Sequence, residues 1–447
     1  VRGKDANVNI VVFEEKEKVG GRMVLSYDDW IGRLGTQIKA ENVAGGQLGT
    51  NLLAERARAV LGFDFGKKEV EGKVKEVGFF DGRSFVSKVT RPSGKMSWGM
   101  WLGLVWRYGA SVWRARDLPQ GTMSDFKGLL KGEKTFESVS EMVEEAEIDG
   151  AVGIGASERL KLNGINEKYV DEVMGPQVWR QTGQSVGELS DLAISMALER
   201  EDQMSGGTGG SFETVLERFV ERSKADLRFN TKVTGLKREM VDAGKDAWIL
   251  ELKRSGDHQP TYDSFDKVIL AGPWNTISLR KDETLKYEAV YYRSLCVTFL
   301  VSSQKLRPEY FGSTGQLPSQ MLPIPSANLP SELENVHEIS HVADIFGPDI
   351  TSQSVRGLYR ILSNHSISAE TISGFVEEGT SKFFQETIQN AYPLTWPREG
   401  SFGSFKVQEE LWHTGVVEGI GSSVDLSWVA GENVGRLVAR EVGKNKP

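Results

Sequence analysis

Glu14 closes an apolar run, Val11-Val12-Phe13, and Gly20, Gly21 and Arg22 follow a few positions later. A carboxylate at the end of a parallel strand suits ribose hydroxyls, the role an acid plays after the second strand of a dinucleotide-binding sheet. Paired glycines let main chain approach a bulky ligand, and an arginine supplies fixed positive charge beside phosphate. Strand, acid, spacer and Gly-Gly-Arg together favour a flavin over a nicotinamide. The partner of such a half-site is a GxGxxG turn, which the chain does not contain. The nearest candidate, Gly150-Ala151-Val152-Gly153-Ile154-Gly155, has the spacing reversed and lies among helical segments, so it reads as a helix–helix loop. The true turn is expected roughly 20 to 35 residues before Glu14, which places it upstream of Val1.

A second constellation closes the chain. In "GVVEGIGSSVDLSWVAGENVGRLV", residues 415–438, glycines and serines lead into an amphipathic helix with Val434, Leu437, Val438 and Val442 on its apolar side. A helix N-terminus offers unpaired amides and a positive dipole end to a phosphate or to the N1–C2=O edge of a reduced flavin. Glu418, just before it, could take ribityl or ribose hydroxyls. An ordinary helix capped by Ser422, Ser423 or Asp425 explains the same residues.

Composition narrows the partners. A net charge of -8 argues against a phosphate-coating surface, so no nucleic-acid partner is expected, and a small molecule is. Cys296 is the single cysteine, which removes intrachain disulfides, zinc–cysteine clusters and CxxC redox centres. No metal site is expected. Asn364-His365-Ser366 is a glycosylation sequon. The sequence shows neither a membrane-spanning run nor a signal peptide, and a segment upstream of Val1 is expected.

These residues need a scaffold. Strand-rich patterns cover about residues 8 to 40, 225 to 275 and 405 to 420, while 100 to 200 is helical in period. "SFETVLERFVER" places Phe212, Val215, Leu216, Phe219 and Val220 on one stripe. "FDKVILAGP" reads as a central parallel strand covered on both faces, with a hairpin meander as the alternative. "SLCVTFLV" reads as a strand and "SGFVEEGTSKFFQETIQNAY" as a helix. The class is α/β: a Rossmann-like nucleotide lobe over residues 1–70, 205–280 and 401–447, interleaved with an α+β substrate lobe over 71–204 and 281–400.

The ordered set "VWRYG", "VMGPQVWRQTGQS", "GGTGGS", "FDKVILAGP", "NAYPLTWP" and the closing motif resembles prenylcysteine oxidases, within the FAD-dependent amine-oxidase superfamily. That resemblance implies FAD in a glutathione-reductase/amine-oxidase type lobe that lacks its first βα unit. It implies Glu14, Gly20, Gly21, Arg22, Val233, Gly272, Glu418, Ser423 and Asp425 as cofactor contacts. The implied reaction consumes oxygen and cleaves a prenylcysteine thioether to cysteine, a prenyl aldehyde and hydrogen peroxide. Hydride would leave the allylic C1 for the flavin, and water would add to the resulting thiocarbenium carbon. Arg180 matches the family's "RxNYGQS" arginine and would hold a substrate carboxylate or shape the flavin site; a structural ion pair is the alternative. The expected compartment is the lysosome or vacuole, or the secretory pathway.

"MSWGMWLGLVWRYGASVW", residues 96–113, would line an apolar tunnel, rest on a membrane surface, or form a buried helix. His413 fits strand packing better than general-base catalysis. The sequence departs from the family at Thr182-Gly183-Gln184-Ser185, at Thr208-Gly209-Gly210-Ser211 and at Arg33-Leu34-Gly35-Thr36. Two other functions remain open at this point: an amine oxidase on the same fold, and a truncated, non-catalytic flavin-fold protein.

Overall fold

The computed structural model describes residues 8–23, 52–62, 75–91, 96–131, 134–203, 212–242, 245–279, 288–346, 355–376 and 381–444. The stretches at Arg33–Thr36 and Thr208–Ser211 lie outside them.

A seven-stranded sheet dominates. Its strands are β2 (Lys75–Phe80), β3 (Phe85–Arg91), β10 (Tyr292–Ser302), β11 (Gln320–Pro323), β12 (Val336–Phe346), β13 (Val355–Ser363) and β14 (Ser381–Pro393), in the order β14-β10-β13-β12-β11-β2-β3. All pairings are antiparallel except β11 with β2. β10 carries the "SLCVTFLV" run, and every residue from Leu295 to Ser302 is buried because the strand has a neighbour on each edge and cover on each face. The helix expected across 373–392 is corrected. A short helix, Ala369–Phe375, ends early, and from Ser381 to Pro393 the chain is β14, paired with β10. Aromatic and β-branched residues at Phe383, Phe384, Thr387, Ile388 and Tyr392 suit a pleated edge, and the ladder with β10 overrides the helical spacing.

The nucleotide-type lobe is built from shorter pieces. β1 (Val11–Phe13) pairs in parallel with β4 (Asp226–Arg228), and β8 (Val268–Leu270) in parallel with β16 (Leu411–His413). β15 (Lys406–Gln408) adds antiparallel to β16. Phe13 packs on the core that holds Val268, Leu270 and Leu411, so the two parallel pairs share one hydrophobic layer. Among the described residues no strand joins β1 to β8.

Between β4 and β8 the chain makes β5 (Thr231–Asp242), β6 (Lys245–Arg254) and β7 (Thr261–Phe265), an antiparallel meander that also takes β9 (Ser278–Leu279) beside β5. The hairpin reading holds for β5 to β7 and the parallel-strand reading for Val268–Leu270, so "FDKVILAGP" is two strands: Phe265 ends β7, and β8 begins at Val268 and pairs in parallel with β16. The expected cover on both faces is corrected too, since Ile269 is 44% exposed. The amphipathic helix Phe212–Ser223 precedes β4, with Val215 buried.

The described residues between 98 and 203 form a series of helices joined by short turns, as their period suggests. Gly150 and Gly153 sit in a one-turn helix, Asp149–Gly153, and Gly155 caps the next, Ala156–Leu162, so the glycine cluster belongs to helix ends rather than to a phosphate turn. Part of this helical segment shares its core with the C-terminal helix Val424–Lys444. Met123, Phe126, Val139 and Met142 pack with Val429, Val434, Leu437 and Val438. The nucleotide-type lobe thus rests on the helical insertion.

Helix Trp98–Tyr108 turns Leu104 and Tyr108 inward. Trp98 is 72%, Trp106 93% and Trp113 44% exposed. Exposure of that degree at Trp98 and Trp106 places these two on the outer surface rather than in an internal tunnel.

Candidate functional site

The two sequence constellations meet. Glu418, buried in the short turn Gly415–Gly419 after β16, receives Arg22 Nη2 from the Gly-Gly-Arg motif and the hydroxyl of Tyr292 on β10 at 2.6 Å. Arg22 Nη1 also donates to the carbonyl of Asn390 at 3.2 Å. Residues 396 positions apart are therefore in direct contact where the nucleotide lobe meets the large sheet. The arginine expected beside phosphate pairs with the glutamate expected on sugar hydroxyls. Gly20 and Gly21, at φ 129° and 55°, make the bend that brings Arg22 there, and the Gly21 conformation is one that L side chains rarely adopt.

Glu14 stands at the carboxyl end of β1. Its Oε1 accepts from the Lys16 amide at 2.9 Å, while its main chain continues the ladder to Arg228 and Thr231. Val233 lies on β5 against the shared core of β8 and β16, a packing position. Gly272 follows β8, and its carbonyl faces His413 Nε2 at 3.1 Å. His413 is fully buried on β16, and burial pushes its pKa down, so it is a neutral packing group.

At the C-terminal helix, Ser423 Oγ accepts from Leu426 N at 3.0 Å, an N-cap bond. Asp425 is wholly buried and accepts from Leu52 N at 2.9 Å, tying the helix Leu52–Arg56 to this helix start. Both side chains already have structural work within the chain.

Arg180 lies elsewhere, beneath the sheet. It belongs to helix Gly175–Thr182, which follows a π-turn at Val170–Met174. Its Nη1 donates to Glu338 Oε2 at 2.8 Å, and Arg360 Nε donates to Glu338 Oε1 at 3.1 Å. Gln320 and Ser340 complete the shell at 2.7 Å each. Burial opposes ionisation of Glu338, but Arg360, Arg180 and the hydrogen bonds outweigh it and hold the carboxyl well below the usual range. Arg180 can hold a substrate carboxylate only by sharing itself with Glu338.

Beside Glu338, the enclosed His337 ring lies between Trp179 and Tyr392, with ring centroids 4.6 and 6.2 Å away. Its Nε2 faces Asn364 Oδ1 at 2.8 Å, so the sequon asparagine is already engaged. Burial holds the imidazole down to about 4. Sequence reasoning missed Glu338, His337 and Tyr292, since lone polar residues in apolar strands give no periodic signal.

Two flagged motifs dock on each other here. Tyr392 of "NAYPLTWP" donates its hydroxyl to the Arg180 carbonyl at 3.0 Å, and its ring lies 2.7 Å from where a Cβ on Gly183 would stand. Gly183 (φ 65°) therefore ends the helix with room for the ring that any side chain would displace. Thr395 N donates to Gln184 Oε1 at 2.9 Å. Gln181, Thr182, Tyr392, Thr395, Gly421 and Ser422 border a cavity of about 20 Å³, where helix, sheet edge and C-terminal turn converge.

FAD is the group the sequence points to for this site. At the adenosine end the donor chemistry fits: a carboxylate caps a parallel strand at Glu14, where ribose is bonded in dinucleotide folds. The cavity of about 20 Å³ at the helix–sheet junction has room for about one water. A second recess, of about 710 Å³, is lined by Arg293, Ser294, Asn364, Thr387 and Gln389, a polar surface unsuited to an isoprenoid chain.

Comparisons with known proteins agree with this architecture. A protein assigned as a protoporphyrinogen oxidase from Exiguobacterium sp. 255-15 superposes with a TM-score of 0.56 at 13% identity, covering 99% of this chain and 95% of its own. A CLA-producing fatty acid isomerase from P. acnes gives 0.55 at 12% identity, covering 96% and 92%. These likenesses are of fold. In sequence, a farnesylcysteine lyase of Arabidopsis thaliana is 23% identical over 383 residues, 81% of this chain and 69% of its own length. The prenylcysteine lyase family model matches residues 93–446, which span the helical insertion, the whole antiparallel meander, the buried Glu338 network and the C-terminal motif, and the chain belongs to that family.

Proposed function

We propose that the protein is an FAD-dependent thioether oxidase that cleaves prenylcysteine to cysteine, a prenyl aldehyde and hydrogen peroxide, in the turnover of prenylated proteins. Family membership carries the reading. The Arg22–Glu418–Tyr292 contact supports it, because it brings the Gly-Gly-Arg motif and the C-terminal motif together. When bound, FAD supplies a two-electron oxidant that oxygen regenerates. The residues of this chain bind and orient: Glu14 takes a ribose hydroxyl, Arg22 and Glu418 fix the junction of lobe and sheet, and the start of helix Val424–Lys444 offers its positive end. No strong base is required, since water completes the cleavage once C1 has lost its hydride.

The same reading puts the protein in a lysosome, vacuole or another compartment of the secretory pathway, where lipid-modified proteins are degraded. The test is spectroscopic. Protein carrying FAD is mixed anaerobically with farnesylcysteine, and the flavin absorbance is expected to bleach and to return with oxygen. Bleaching by amines but not by farnesylcysteine would replace the substrate class. Failure to retain FAD at all would make the chain a binding module.

A further inference from the structure

The helix Trp98–Tyr108 is anchored on one side and bare on the other. Leu104 and Tyr108 enter a core with Val77, Phe79, Val173, Leu322 and Ile324. Tyr108 donates to Glu172 at 2.8 Å and Arg107 Nε donates to the same carboxylate at 2.7 Å, which fixes the helix about its axis. Residues two apart point about 200° from each other, so Leu102 and Trp106 must face away from that core. Leu102 is 51% exposed, and Trp98 and Trp106 stand one turn to either side of it. Trp113 of the following helix, its ring 5.4 Å from that of Trp101, is exposed nearby, and together these side chains expose apolar surface of a few hundred Å², the size of patch that marks an interaction site.

Charge and residue type say what fits this face. Arg114 and Arg116 stand exposed beside Trp113, while Arg107, beside Trp106, shares its charge with Glu172. Indole rings prefer the boundary between lipid headgroups and acyl chains, and flanking arginines are drawn to anionic headgroups. No helix among the described residues is long and apolar enough to cross a membrane, so the contact is one of lying on the surface. We infer that the Trp98–Leu102–Trp106 face, with Trp113, seats the protein on an anionic lipid bilayer.

The inference goes beyond the proposed reaction and is read without flavin or turnover. The full chain is sedimented with vesicles of phosphatidylcholine alone, or mixed with phosphatidylserine. The wild type is expected to pellet with the mixed vesicles, and a Trp98→Ser/Trp106→Ser variant to bind them at least about tenfold more weakly. Arg116→Glu is expected to weaken binding roughly fivefold on mixed vesicles and not on phosphatidylcholine alone. Both tryptophans are exposed, so the double variant should keep its circular dichroism. Should it not fold, quenching of wild-type tryptophan fluorescence by brominated lipid decides instead. A wild type that stays in the supernatant, or shows no quenching, overturns the inference, as does a double variant that pellets like wild type. A wild-type dimer that the double variant converts to monomer, without vesicle binding, would give the face to a second copy of the chain.

Discussion

The large sheet and the nucleotide-type lobe hold their charges in different ways. Under the sheet, Glu338 is fully enclosed and bonded by two arginines, a glutamine and a serine. At the edge of the other lobe, Glu418 is buried but its partner Arg22 is about a third exposed and reaches it from a glycine bend. An enclosed network tolerates no missing member, because each charge left behind stays in a low dielectric. A pair at a lobe junction can exchange a side-chain partner for water or ligand. The contrast assigns Glu338 to architecture and Glu418 to the junction between the nucleotide-type lobe and the sheet.

The largest expected effect tests the enclosed half. Glu338→Ala leaves Arg180 and Arg360 buried without their counter-ion and is expected to lower stability by about 3–5 kcal/mol, read from urea unfolding at neutral pH. A loss under about 1 kcal/mol would mean water reaches the network, and the contrast would collapse.

Acid titration probes the neighbouring ring. The folded protein holds His337 at about 4 against 6.5 for the free side chain, so between these values the unfolded chain binds more protons. Stability therefore rises with pH in this window and is lost as pH falls from 6.5 toward 4, by on the order of 3 kcal/mol. Glu338 adds its own loss only below its ordinary carboxylate range, since its folded pKa is depressed. His337→Phe keeps the stack between Trp179 and Tyr392 without the titration. Its deficit relative to wild type should narrow as the pH falls through the window, and a constant deficit would show that His337 does not titrate.

At the junction, Arg22→Ala leaves Glu418 with Tyr292 and is expected to cost about 1–2 kcal/mol. If this contact borders the flavin site, bound FAD per chain should drop more steeply than the unfolding midpoint. Parallel losses would make Arg22 merely structural.

How much of this the sequence disclosed depends on where a residue's partners lie. β10 was legible because eight consecutive buried residues leave little choice, and helix Phe212–Ser223 because its stripe has period 3.6. β14 was not, since Phe383, Phe384 and Ile388 fit a helical stripe and only pairing with a strand some 90 residues away decides otherwise. Likewise Arg22 and Glu418 were each readable as ligand residues, whereas their contact, like that of Arg180 with Glu338, exists only after folding.

The smallest effect separates two roles for the C-terminal motif. Ser423 Oγ accepts from Leu426 N, and replacing a cap by alanine costs about 1 kcal/mol. Asparagine caps nearly as well and adds no charge, so Ser423→Asn should regain most of the stability lost in Ser423→Ala. A hydroxyl that only caps predicts that FAD retention follows stability through both substitutions. A hydroxyl that also bonds the cofactor predicts that Ser423→Asn is stable yet retains less FAD, because the longer amide cannot place an acceptor and a donor where the hydroxyl stood. Measuring unfolding midpoint and bound flavin on the same two variants resolves the roles. The result bears on the wider contrast, since a helix start with its amides spent on capping has fewer left for an anion.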